Sequence, residues 1–462
     1  MKGFLFLLNF LFLSRVFSEE SFKLTLTLES ALTMAVNQNR QLMIAEDSME
    51  NACFQVSIAE SDFDYQIRPR GDLGYIGGGK AGTGAAVGSG IDITKKNIYG
   101  TKFSINPSIQ KAHNKYNTTL NMVVTQPILR GFGKEYNLTH LRGAQFSYRS
   151  SLRSLCIAQS NLFIKTISAL YEVLKAEKSV LLNNESHMRV KKLYQAALLK
   201  SKLGLSDPLD VYRAESEMRH AEDALKASED RLESVNDTLR DILALSSDTE
   251  ILVSLPLEYV PKEIDLDKAI EIAEVNRVEI AQAFDQEQEA IRMSLIANER
   301  LLPELNLVFN FANTGANEIF TSTWDYRRRE STWGIGFTTS TDFNPAAAKA
   351  AYEQAMLSSE AAARNVEQVK ANIIFEVKRT IRNLERSKER IALQEKQIHS
   401  AQGELKLAQI KFDRGMGNNF DLIQAEKSLR NAELSYVHAL IDYIVGEFQL
   451  TGVLGMLVSV PC

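Results

Sequence analysis

The feature that most constrains the fold is where proline does not occur. No Pro lies between Pro127 and Pro208, or between Pro345 and Pro461, and both spans are rich in Ala, Leu, Glu, Lys, Gln and Arg. Proline removes a backbone donor and collides with the preceding helical turn, so proline-free runs of good helix formers predict long helices. From Asn137 to Leu203 a single helix would run on the order of 100 Å at about 1.5 Å per residue, several times the width of a compact domain.

The second span carries a seven-residue period: Val377, Leu384, Ile391, Ile398, Leu405 and Phe412, with Thr380, Ser387, Gln394, Ala401 and Ala408 in the companion seam. A similar row in the first span is Ile167, Leu174, Leu181 and Met188. A strict seven-residue repeat drives a left-handed supercoil. Small and polar companions leave a narrow apolar stripe, so such a helix belongs in a shell of helices and not inside a globule.

Two segments then match in register. "GLSDPLDVYRAE" (204–215) and "GMGNNFDLIQAE" (415–426) stand 211 positions apart, each where a long helix should end. Gly204 and Gly415 suit a left-handed C-terminal cap, and Asp207 with Pro208 supplies an N-cap and first residue for a returning helix. Asn418 takes the place of Asp207 in the second copy. The same offset matches Ala197 with Ala408, Asp210 with Asp421, Ala214-Glu215 with Ala425-Glu426, and Arg219-x-Ala221-Glu222 with Arg430-x-Ala432-Glu433. This is the pattern of a duplicated helical hairpin. Another echo opens each half, Leu28-x-x-Ala31-Leu32-x-x-Ala35 against Leu266-x-x-Ala269-Ile270-x-x-Ala273, with Asn39-Arg40 and Asn276-Arg277 following. The expected organisation is a first repeat over 19–250 with its hairpin tip near 204, a linker at 251–263, and a second repeat over 264–462 with its tip near 415.

Ahead of the repeats, residues 1–18 (MKGFLFLLNFLFLSRVFS) combine Lys2, an apolar stretch from Phe4 to Leu13 and a small residue at Ser18, the pattern of a secretory signal peptide. The apolar stretch is well short of the ~20 residues that a spanning helix needs. Removing this segment with Lys2 and Arg15 leaves 51 basic against 58 acidic side chains, a net charge of −7, so nucleic acid is not an expected partner. Cys53, Cys156 and Cys462 are too few and too scattered for a disulfide framework or a metal cage. No clustered nucleophile, acid pair or metal-ligand spacing stands out, so neither an enzyme nor a cofactor is expected.

Each half also has a stretch of period two in its middle, at about 64–128 and 303–343. Leu305, Leu307, Phe309 and Phe311 alternate with polar or small residues, as do Trp333, Ile335 and Phe337. In the first half Ile67, Leu73 and Tyr75 alternate with Arg68, Arg70 and Asp72, and Leu120, Met122 and Val124 with Asn121 and Thr125. These are strands with one apolar and one polar face. A weaker alternation at 85–109 either adds strands or forms an outer loop. A half-buried soluble sheet and a membrane barrel share this alternation. Nothing at the end of such long helices remains to cover the apolar face, which favours the barrel. A few strands cannot close one alone, because open edges in lipid leave backbone groups unsatisfied, so several chains must contribute. Between the first strands, Gly74-x-x-x-x-Gly79-Lys80-Ala81 resembles a phosphate-binding loop but lacks the hydroxyl after the lysine and the helix that would follow.

Over the whole mature chain these features resemble the TolC-like outer-membrane efflux proteins. The resemblance rests on the duplicated layout, the paired turns and "TQPILRGFG" (125–133), similar to the family's passage from strand to descending helix. It implies a mainly α fold with membrane β: a homotrimer whose long helices form a coiled-coil tunnel in the periplasm. Each chain would give four strands to a shared transmembrane barrel of about 12. It further implies a passive export duct in the outer-membrane lipid, docked through a periplasmic adaptor to an inner-membrane pump or ABC transporter, as in tripartite efflux and type I secretion. Leu203, Gly204, Leu205 and Ser206, with Gly415, Met416, Gly417 and Asn418, would be the docking tips. Asp421 would narrow the tunnel mouth together with Asp210, while Gln424 holds the place of the family's second acid. As acids in a first helical turn, Asp210 and Asp421 also complement the helix dipole. The alternative is a soluble periplasmic coiled-coil adaptor or scaffold.

Overall fold

A computed structural model describes residues 23–76, 84–112, 115–204, 207–261, 263–325, 330–341, 344–414, 416–417 and 419–458. The first half runs β1 (Lys23–Leu26), α1 (Leu28–Gln38), α2 (Arg40–Ser61), β2 (Gln66–Ile76), β3 (Gly84–Lys96), β4 (Lys102–Ala112), β5 (Lys115–Pro127), α3 (Lys134–Asn137), α4 (Thr139–Lys202) and α5 (Pro208–Ile242). The second runs β6 (Glu250–Val253), α6 (Leu266–Asn276), α7 (Val278–Glu299), β7 (Glu304–Asn317), β8 (Glu330–Ser340), α8 (Ala346–Asp413) and α9 (Asn419–Val453). Helix lengths recur in order: α1 and α6 have 11 residues, α2 and α7 have 22, α5 and α9 have 35.

The described residues form two compact units. One draws on described residues within 23–40, 162–262 and 383–449, the other on described residues within 41–161, 263–382 and 450–458. In the first unit β1 pairs in parallel with β6, a strand that overlaps the start of the segment expected to be a linker. Leu26, Leu239, Leu243 and Ile251 are buried around this pair. The chain after β6 is held on helices: the Tyr171 hydroxyl donates to the Pro256 carbonyl at 3.4 Å, and the Tyr259 and Tyr443 rings meet edge to face at 5.0 Å.

Helix α8 follows its heptads, with Val377, Leu384, Ile391, Ala401, Ala408 and Phe412 all buried. Helix α4 does not keep the row read from its large apolar residues. Ile167 and Leu174 are buried, but Leu181 and Met188 are exposed. The buried seven-residue row is Leu162, Ala169, Ala176, Asn183, Val190 and Ala197. Small side chains on this row let neighbouring helices approach closely, which volume forbids to leucine and methionine.

In the second unit six strands make one sheet, in the order β2-β3-β4-β5-β7-β8, with every neighbouring pair antiparallel. The chain therefore supplies six strands where its resemblance implied four, because residues 84–112 fold as the hairpin β3-β4 between β2 and β5. That hairpin was hard to read because one face of β3 is Ala86, Gly88 and Gly90. The carboxylate of Asp72 lies where a Cβ on Gly88 would stand.

Register aligns the two faces across the whole sheet. One row is Ile67, Ile93, Ile105, Met122, Phe311 and Trp333. The other face carries Arg68 opposite Asp92, Asn106 opposite Asn121, then Ala312 and Thr332, with an Asn106 to Asp92 hydrogen bond of 2.7 Å.

From β5 the chain turns into α3 and α4 through the expected segment. Gly131 and Gly133 have φ of 90° and 101°, and the Asn137 side chain donates to both of their carbonyls at 2.7 and 2.9 Å. Arg130 pairs with Glu304 at 2.9 Å, tying this turn to the start of β7.

Candidate functional site: the paired hairpin ends

The ends of the two hairpins, α4-α5 and α8-α9, both lie in the first unit. Helix α4 closes at Leu203 and Gly204, whose φ of 71° is the left-handed conformation expected of it. Asp207 caps α5, its carboxylate accepting from the Leu209 amide at 2.9 Å, and Pro208 follows at the first helical position. Helix α8 ends at Asp413, and the Lys411 carbonyl accepts from the amides of Met416 and Gly417 at 2.9 and 3.1 Å. Leu205, Ser206, Gly415 and Asn418, named above as tip residues, lie outside the described residues.

Three small cores hold the hairpins together. Ala408, Phe412, Leu422 and Ala425 pack between α8 and α9, and Ala197, Ala214 and Ile423 join α4 and α5 to α9. Leu193 reaches both groups, while Ala401, Leu429 and Ala432 form the next layer. Alanine dominates because three or four helices converge there and leave no room for larger side chains. Above the cores the ends expose apolar tips, with Leu203, Tyr212 and Met416 each about 70% accessible and Leu209 and Phe420 about half.

The structure places Asp421 and Gln424 on the same exposed side of α9, one turn apart, while Leu422, Ile423, Ala425 and Glu426 are buried. Asp210 is half-buried, and its backbone carbonyl accepts from the buried side chain of Asn419 at 3.3 Å. Asp210 is thus joined to the second hairpin through its backbone, and Asp421 stands two residues beyond that joint.

Deeper in the bundle, contacts appear that the sequence reading missed. Arg189 of α4 donates to Glu426 of α9 at 2.7 Å, and only 8% of the Glu426 side chain is accessible. Burial pushes the Glu433 carboxyl up from its usual range, with Glu185 and Glu426 adding to the rise and Arg189 opposing it. Further along, Lys175 pairs with Asp442 at 3.0 Å, and His438 lies 3.2 Å from the Ser179 hydroxyl. The one sequence signal was Glu426 itself, three residues after Ile423 and so on the buried side of an amphipathic helix. Nothing local marks Arg189 as its counterpart, or Lys175 as the counterpart of Asp442.

The fold is that of outer-membrane channels. The chain is similar to the CmeC channel of Campylobacter jejuni, with a TM-score of 0.74 at 12% identity over 94% of this chain and 87% of that one. It is similar to VceC of Vibrio cholerae, at 0.73 and 12% identity over 93% and 96%, and to the open state of MtrE of Neisseria gonorrhoeae, at 0.66 and 16% identity over 93% and 89%. No curated protein matches the chain in sequence. Residues 269–456 match the outer membrane efflux protein family. That match falls in the second half of the chain, while the likeness to outer-membrane channels runs along nearly all of it.

Proposed function

We propose that the chain is the outer-membrane export duct of a tripartite efflux or type I secretion system. In this reading three copies close their sheets into one barrel in lipid and their helices into a periplasmic tunnel. The hairpin ends dock to an adaptor, and through it to an inner-membrane pump or ABC transporter that supplies the energy. Transport through the duct itself is passive and needs no cofactor or covalent chemistry from this chain.

The observation that carries the reading is the apolar row across the sheet. Ile67, Leu73 and Tyr75 on β2 and Trp333, Ile335 and Phe337 on β8 are between 63% and 82% accessible, an exposure suited to lipid and poorly suited to water. Among the described residues no helix is long and apolar enough to cross a membrane. At the other site, the exposed Leu203 and Met416 with Gly204 and Gly417, and the undescribed Leu205, Ser206, Gly415 and Asn418, form the docking surface in this reading. Asp421, flanked by Gln424 and backed by Asp210, then forms the constriction when three copies meet.

The test is fractionation followed by reconstitution. The mature protein should require detergent for extraction, run as a trimer by native mass measurement, and conduct ions in planar bilayers. Recovery as a soluble periplasmic monomer without detergent would overturn the duct and leave the soluble adaptor or scaffold.

A further inference from the structure

The family resemblance implied four strands per chain, and the chain has six in one sheet. We infer that the hairpin β3-β4 is part of the barrel wall, so that three copies close an 18-stranded pore in place of a 12-stranded one. This rests on the trimeric duct proposed above and adds the width of its outer opening.

Three observations argue for a wall position. First, the hairpin is in register on both sides: Ile93 faces Ile67 of β2, and Ile105 faces Met122 of β5, so the apolar row passes through the hairpin without a break. A hairpin folded over the barrel as a plug or loop has no reason to keep that row. Second, the polar row continues too, through Asp92 and Asn106, which hydrogen-bond to each other between Arg68 and Asn121. Third, the sheet's ends suit closure by another copy. All five pairings are antiparallel, so β2 and β8 run in opposite directions and β2 of one copy meets β8 of the next in the same antiparallel sense. The occupant of both open edges is thus a second copy of this chain.

Barrel diameter grows roughly linearly with strand number, and barrels of 16–18 strands enclose an aqueous channel. An opening about 1.5 times as wide as a 12-stranded one follows. On the inner wall the added strands bring Asp92 beside Arg70 at 3.7 Å, with Asp72 laid over Gly88. The outer opening would then be a wide, polar mouth of mixed charge.

Cysteine pairs in otherwise cysteine-free protein test the wall directly in isolated outer membranes. Arg68→Cys with Asp92→Cys should cross-link within one chain, because these residues are opposed on β2 and β3. Arg68→Cys with Asn121→Cys should not, because β3 and β4 stand between them. Cross-linking of the second pair and not the first would overturn the inference, since it would put β2 directly against β5. Native mass measurement separates the two readings, because a copy number other than three sinks the trimer while the cross-links still report the wall. As a second arm, neutral polymers added from the barrel side should enter the native pore at larger size than in a variant lacking residues 78–113. The register leaves Gly74 and Lys115 level for a short turn in that variant. Equal size limits in the two proteins would also overturn the inference.

Discussion

Ala244 and Gly455 both close a long helix in the left-handed conformation, with φ of 53° after α5 and 72° after α9. They stand 211 positions apart, the spacing that also separates the two hairpin turns. The hydrogen bonds agree: the Leu245 amide bonds the Arg240 carbonyl at 2.9 Å, and the Met456 amide bonds the Thr451 carbonyl at 3.0 Å. Two identical caps are therefore written with different residues, and only one is glycine.

The expected consequence is asymmetric. In Ala244→Gly the side chain that resists positive φ is removed, so stability should rise by about 0.5–1 kcal/mol. Gly455→Ala should cost about 1–2 kcal/mol, because a Cβ there meets the Asn276 carbonyl oxygen at 2.9 Å as well as the wrong φ. Thermal unfolding of both variants in detergent checks the signs.

The start of each half caps the same helix ends from the side. Asn39 donates to the Ile242 carbonyl at 2.9 Å, and Arg277 to the Val453 carbonyl at 3.3 Å. By this geometry Asn39 corresponds to Arg277, so the Asn-Arg pairs noticed in the sequence are one position out of register. Arg277 also bonds Glu279 and Glu376 at 3.0 Å with 15% of its side chain accessible. Losing it leaves two partly buried carboxylates and a carbonyl without their donor. Arg277→Ala should therefore cost roughly 3 kcal/mol, and Asn39→Ala about 1 kcal/mol. Denaturant midpoints measure both.

Docking through the hairpin ends predicts a separation of function from folding. Leu203→Asp or Met416→Asp replaces an exposed apolar tip that packs against neither hairpin core. Stability and outer-membrane assembly should stay within about 0.5 kcal/mol of the native protein. Cross-linking to the adaptor and export should fall at least tenfold, which corresponds to about 1.4 kcal/mol of lost contact. Unaltered cross-linking in both variants would remove the tips from the interface.

How much of this was legible follows from which interactions are local. Cap chemistry is local, so Gly204, Asp207 and Pro208 could be placed from the sequence, and the apolar heptads of α8 marked its buried row. Helix α4 misled because its buried row is alanine, asparagine and one valine beyond Leu162, while the more hydrophobic Leu181 and Met188 face outward. Hydrophobicity finds a seam only where burial selects for size, and close helix approach selects against it. The same limit hid β3, whose glycines and alanine serve the side chains of β2. Arg189 with Glu426, and Asn419 with Asp210, pair across more than 200 positions. No periodicity encodes such a pair.

If Asp421 forms the constriction, its charge should matter more than that of Asp210. Asp421 is exposed beside Gln424, whereas Asp210 is half-buried. Asp421→Ala should raise single-channel conductance roughly twofold and weaken cation block, as expected when a ring of carboxylates is removed from a narrow mouth. Asp210→Ala should change conductance less. Planar-bilayer recordings on the two variants decide the assignment.

Burial, and then the adjacent Lys175 ammonium, lowers the pKa of His438, while Asp442 and Glu172 pull it back and Arg390 lowers it further. A histidine whose folded pKa lies below its unfolded value of about 6.5 is neutral in the native state. Its contribution to stability is complete above that value and is lost as pH falls through the folded pKa, because the unfolded chain then binds a proton that the native site resists. The hairpin bundle should therefore lose stability on acidification below about pH 6.5. His438→Gln, which keeps a polar group near Ser179 and cannot charge, should remove part of that loss. Unfolding midpoints of native and variant protein between pH 5 and 8 give the difference directly. A variant whose pH profile runs parallel to the native one would show that another group carries the acid sensitivity.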